Sequence, residues 1–167
     1  MRYDDMILTP TGLRYRGRRY PCSIGRGGIS ADKREGDGAT PAGMHRVVMT
    51  LYRPDRIPAP APWARPILPG DLWSDASHDA AYNSHVRAPY PHSHEALRRA
   101  DPLYDLIMVM DWNWPNAIPE KGSCIFIHQW RRPGFPTEGC LALRRTDLFR
   151  LAGEMEPGTR VIVPSYA

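Results

Sequence analysis

From Ser123 to Leu143 the chain reads SCIFIHQWRRPGFPTEGCLAL, two short alternating stretches separated by a segment that can join neither ladder. Cys124, Phe126 and His128 alternate with Ile125, Ile127 and Gln129, so the strand period of two puts His128 on the face of Cys124 and Phe126 and delivers it at the strand's end. Pro133, Gly134 and Pro136 forbid regular pairing and favour a turning loop, after which Cys140-Leu141-Ala142-Leu143 alternates again. A loop that reverses direction returns Cys140 toward His128. Such a stretch demands short strands and sharp connections around it.

A cysteine and a histidine at the two ends of one loop suit nucleophilic acyl transfer. A free thiol has a pKa near ~8.5 and is only slightly ionised at neutral pH, so an imidazole that takes its proton raises the reactive fraction. Cys140 would attack, and His128 would serve as base and then as acid. Gly139 permits a tight turn whose backbone N–H groups, those of Gly139 and Cys140, could face a developing oxyanion, and Thr137 could fix the loop by a side-chain hydrogen bond. Spacing alone also allows an inert buried thiol beside a satisfied strand histidine.

The remaining chain supports short strands. At 167 residues, with 42% hydrophobic and 24% charged side chains, a single domain spanning 1–167 can bury its own core, and no apolar run approaches the ~18 residues of a membrane helix. The start, Met1-Arg-Tyr-Asp-Asp-Met, is acidic where an export signal would be basic. Ile7 to Leu13 and Leu13 to Ile24 read as strands joined at Thr9-Pro-Thr-Gly12, and His45 to Tyr52 as a third. The proline-rich segment from Pro54 to Pro69 reads as a surface loop or extended arm packing Trp63. Ser93 to Ala100 reads as a short helix, and Tyr104 to Met110 as a buried strand hairpinned to that of His128. Thr146 caps a helix over Asp147 to Met155 that turns Leu148, Phe149 and Leu151 inward, and Val161 to Val163 closes the fold as a last strand. The fold class is therefore mainly β, a sandwich or barrel-like sheet with one or two short helices.

Three other chemistries have sequence features in their favour. The net charge is +4, and Arg14, Arg16, Arg18 and Arg19 interleave with aromatics as in some nucleic-acid modules, but an exposed strand face is often simply charged, so no nucleic-acid partner is expected. Gly25-Arg-Gly-Gly28 lacks the Lys-Ser/Thr ending of a phosphate loop. His92-Ser-His94, with Asp79 or His85, would be the ligands of a metal-dependent hydrolase, although three widely spaced cysteines, Cys22, Cys124 and Cys140, supply neither a zinc site nor a disulfide framework. No metal or cofactor is expected.

Thr137-Glu138-Gly139-Cys140-Leu141, preceded by His128 on a strand, resembles the signature of the L,D-transpeptidase catalytic domain (YkuD-type). Glu35-Gly-Asp-Gly-Ala-Thr-Pro-Ala-Gly43 is similar to that family's upstream Gly-rich turn and Thr-Pro-x-Gly. The resemblance extends over nearly the whole chain and is closest to compact single-domain members. It implies the YkuD-like β fold and a peptidoglycan L,D-transpeptidase that works on stem peptides through a Cys140 thioester, with His128 as its base, and that forms a carbapenem adduct. A hydrolase or L,D-carboxypeptidase using the same pair, or an inactive cell-wall or nucleic-acid binding module, are the alternatives. It further implies work outside the cytoplasm, in the periplasm or cell wall, and supporting or substrate-binding roles for Thr137, Glu138, Trp130, Tyr82 and Asn83, with Thr40 and Gly43 shaping the site. Glu138 and Ala142 depart from the residues many members carry there, which bears on substrate specificity.

Overall fold

The structure, a computed structural model, describes residues 2–165; Met1, Tyr166 and Ala167, the ends of the expected 1–167 domain, lie outside the described residues. In chain order the strands are β1 (Met6–Thr9), β2 (Gly12–Tyr15), β3 (Arg18–Tyr20), β4 (Cys22–Ser23), β5 (Ile29–Ser30), β6 (Thr40–Pro41), β7 (Gly43–Tyr52) and β8 (Arg65–Pro66). They continue as β9 (Asp71–Ser74), β10 (His85–Arg87), β11 (His94–Ala96), β12 (Leu106–Met110), β13 (Phe126–Gln129), β14 (Leu141–Leu143) and β15 (Arg160–Val163), with one α-helix, α1 (Arg145–Glu154), before the last.

Ten strands form one sheet in the order β3-β2-β1-β15-β7-β12-β13-β14-β4, with β8 paired to β7 off that path. The two ends of this order, β3 and β4, are separated in the chain only by Pro21. A sheet whose first and last strands are one residue apart has to curl until its edges meet, so the fold is barrel-like. Alternation fills the interior: Met6, Leu8, Leu13 and Tyr15 point inward with Met108, Ile127, Leu141 and Leu143, all at most 3% exposed. Helix α1 seals one side of this core with Leu148, Leu151 and Ala152.

Three expected elements differ. The strand expected from Leu13 to Ile24 is broken, because Arg16 and Gly17, at φ 46° and 76°, make the two-residue turn between β2 and β3. The segment expected as a helix from Ser93 is β11, since β9 captures its backbone (Glu95 opposite Trp73) and leaves no turn of helix to form. Helix α1 begins at Arg145, one residue before its expected Thr146 cap, with no side-chain cap. The hairpin of β12 with β13 forms as expected.

Candidate active site

The His128 strand is shorter than its alternation suggests. Cys124 lies at φ 55°, outside the strand, and the ladder starts at Phe126. The Trp130–Gly139 loop does not simply reverse the chain. It carries it back along β13, so that β14 runs parallel to β13 with Ile127 opposite Leu141 and His128 opposite Ala142. Residues facing each other in a parallel pair share a sheet face, so His128, Ala142 and, two positions earlier, Cys140 lie on one side. That side is the wall of a cleft of about 530 Å³. On such a diagonal the backbones stand roughly 7–8 Å apart, within reach of an imidazole and a thiol.

The thiol is held from two sides: Sγ of Cys140 donates to the Cys124 carbonyl at 3.1 Å and accepts from the Phe126 N–H at 3.4 Å. Burial pushes its pKa up to about 12. The His128 ring donates through Nδ1 to its neighbour's carbonyl, Gln129 O, at 2.7 Å, which fixes the tautomer and leaves Nε2 as acceptor. Burial pushes the His128 pKa down to about 4. Thiol and imidazole are therefore both neutral in the resting site, where the sequence suggested a thiolate favoured by the histidine. Tyr104 packs edge-on to the His128 ring at 5.4 Å between centroids.

The loop around Cys140 is tied down at each peptide. Thr137 Oγ1 donates to Cys140 O at 2.6 Å and accepts the Gly139 N–H at 3.2 Å. Thr137 thus clamps the loop, but its hydroxyl occupies the Gly139 amide, which corrects that amide's expected place as an oxyanion donor and leaves the Cys140 N–H as the other expected one. Gly139 has φ 135°, and a Cβ there would sit 2.7 Å from Ala39 O, so only glycine fits. The Thr137 backbone is stitched to the strand edge behind it, Thr137 N to Ile24 O at 2.9 Å and Arg26 N to Thr137 O at 2.8 Å.

Trp130 and Glu138 line the cleft. Glu138 is also paired with Arg26 at 2.7 Å, both side chains exposed. Tyr82 and Asn83 line no part of it, and their expected substrate contacts are corrected to support from behind. Asn83, 3% exposed, spends its whole amide on the protein. Its Oδ1 accepts from Trp73 Nε1 and the Cys124 N–H, and its Nδ2 donates to Trp112 O and Asn113 O. The Tyr82 hydroxyl donates to Glu35 and accepts from the Gly122 N–H. Neither can release those groups to a ligand without leaving a buried polar atom unpaired.

Several cleft residues had no functional role in the sequence. Glu35, Asp75, Glu95, Arg99 and Tyr104 all line it. Glu35 lies inside the upstream motif, which attaches no chemistry to it, and the helix-like frame from Ser93 hides Glu95. Burial raises the Glu95 pKa, and Arg99, 3.8 Å away, opposes this. The histidines of residues 71–95 do not converge. His85 faces Asp71 at 3.3 Å and His92 faces Asp79 at 3.4 Å, while His94 bonds His92 O. Among the described residues no group of three His, Cys, Asp or Glu could hold a metal ion, and no helix is long and apolar enough to cross a membrane.

No curated protein and no solved structure matches the chain. Residues 9–163 do match a family domain that contains both motifs and all the strands from β2 to β15, and on that coverage the chain belongs to the L,D-transpeptidase catalytic domain family, YkuD.

Proposed function

We propose that the protein is a cysteine acyltransferase, a peptidoglycan L,D-transpeptidase acting on stem peptides outside the cytoplasm. The observation that carries this reading is the placement of Cys140 and His128 on one face of adjacent parallel strands, lining one cleft, with Nε2 of His128 left as a proton acceptor. Cys140 Sγ attacks the carbonyl carbon of the bond between an L-configured centre and D-Ala while its proton passes to His128 Nε2. The C–N bond then breaks, the departing D-Ala amine takes that proton, and a thioester remains. An acceptor amine attacks the thioester, giving its proton to His128, and the thiolate leaves and is reprotonated from there. The Cys140 N–H would stabilise the oxyanion of each tetrahedral intermediate. The cleft, with Trp130 and Phe135 in its lining, leaves room for an extended peptide.

The test is intact mass after incubation with a carbapenem, with peptide mapping, alongside turnover of a stem tetrapeptide with an amine acceptor. One adduct on the Cys140 peptide, absent in Cys140→Ala, and a cross-linked product are expected. Release of D-Ala without a cross-link would reassign the enzyme as a carboxypeptidase. No adduct and no turnover by folded protein would remove the acyl-transfer reading.

A further inference from the structure

Thr40 lies far from Cys140 in sequence, is fully buried, and lines no part of the cleft. Its hydroxyl nevertheless ends on the nucleophile's own turn. Thr40 Oγ1 donates to Gly139 O at 2.9 Å and accepts the Gly25 N–H at 2.9 Å, so both its hydrogen-bonding roles are used across three separate segments. The Thr40 backbone is itself fixed, N–H to Gly28 O at 2.8 Å. The preceding turn is locked by Asp37, whose Oδ1 accepts from Lys33 Nζ at 2.6 Å and from the Ala39 N–H at 2.8 Å. Close packing leaves no slack, since a Cβ on Gly25 would fall 2.2 Å from Gly38 O and one on Gly139 2.7 Å from Ala39 O.

The Gly139–Cys140 peptide is trans, so its carbonyl and the Cys140 N–H point in opposite directions from one rigid plane. Holding the carbonyl inward therefore dictates where the N–H goes. With the Gly139 N–H occupied by Thr137, the Cys140 N–H is the amide of this pair left to meet an oxyanion. We propose that Thr40 is a positioning residue for acyl transfer: its hydroxyl fixes the Gly139 carbonyl and thereby aims the Cys140 N–H into the cleft. Thr137 sets the neighbouring peptides, and Thr40 sets the one that matters for charge. This rests on the acyl-transfer reading for its chemistry, though not for its geometry.

The experiment compares two reactions of one thiol. Carbapenem acylation develops an oxyanion; alkylation by iodoacetamide at pH 9 does not. In Thr40→Val, which keeps the shape and removes the hydroxyl, acylation should slow by about tenfold or more, since an oxyanion donor is worth that much or more. Alkylation should stay within about threefold of the parent, and Thr40→Ser should restore acylation, as a hydroxyl role requires. Equal loss in both reactions, no loss in acylation, or a Thr40→Ser as slow as Thr40→Val would overturn the proposal. If Thr40→Val does not fold, protein with its natural sequence labelled with nitrogen-15 cysteine decides. The Cys140 amide, assigned by its loss in Cys140→Ala, should exchange freely with solvent, whereas a protected amide would sink the idea. Failure of the natural protein to acylate would count against the acyl-transfer reading, leaving amide exchange to judge Thr40.

Discussion

The carbonyl oxygen of Cys124 stands 3.1 Å from Sγ of Cys140 and receives its thiol proton. Cys124 can offer that oxygen because its backbone adopts φ 55°, pinned by the bond from its N–H to Asn83 Oδ1 at 3.1 Å. The Cys140 thiol thus rests directed at the protein, and in the proposed mechanism entry of a substrate has to turn its proton toward His128.

Alkylation of Cys140 should report this resting state. With the thiol pushed up to about 12, its rate with iodoacetamide should still be climbing beyond pH 9, by roughly tenfold per unit. A preformed thiolate–imidazolium pair would instead plateau near neutrality. Quantifying the modified Cys140 peptide across pH 6 to 10 separates the two.

His128 should make stability fall on the acid side. Its folded pKa, about 4, lies below the ordinary 6.5, so the unfolded chain binds the proton first as pH drops. Its contribution is complete above pH 6.5, is lost between there and about pH 4, and does not change further below. The lost part is roughly 3 kcal/mol at most. Urea midpoints at pH 7 and pH 4 should therefore converge in His128→Gln relative to the parent; His45, also lowered by burial, is common to both proteins. An unchanged difference would mean that His128 titrates normally.

Asn83→Ala should unfold the protein more readily by about 2–5 kcal/mol, because it orphans Trp73 Nε1, the Cys124 N–H and two carbonyls at a buried position. A substrate-contact role would predict a change in KM with stability intact. Denaturant unfolding together with steady-state kinetics distinguishes them.

Under the proposed mechanism, Cys140→Ala should abolish turnover with the fold retained, and His128→Ala should cost about 10²–10⁴ in kcat. Cys22, on edge strand β4, bonds Ser23 O and has its pKa pushed up to about 12 by burial. Cys22→Ala should leave turnover near that of the parent. Persistent processing of a stem tetrapeptide by Cys140→Ala would mean that another group attacks.

Some of this was written locally in the sequence. The alternation around His128, the Pro/Gly loop and the glycine before Cys140 are short-range signals, and they place both side chains on one cleft. The parallel return of β14 was not legible, because nothing inside the Trp130–Gly139 loop encodes which way the next strand will run; that depends on the edge offered by Ile24 and Arg26. Glu95 reads as helical because a Ser start and a Pro stop make a good helix frame, while its strand partner Trp73 on β9 lies 22 residues upstream. Nothing in the sequence around Asn83 signals that four groups claim its amide and keep it out of the cleft. Thr40 is visible in its motif, but not its bond to Gly139, which joins residues 99 apart in the chain.

The curled strand order also bears on how the molecule comes together in time. β15 lies between β1 and β7, β4 closes against β14, and the turn of Cys140 is held by Gly25 and Thr40. None of these pairings is available to a chain that has closed only its local hairpins, and ordering such distant segments costs entropy before any contact rewards it. On topology alone, the clamp on the Cys140 turn is expected among the late events of folding. Before β14 docks beside β13, Cys140 has neither the Cys124 carbonyl nor the Phe126 N–H that holds its thiol in the folded protein.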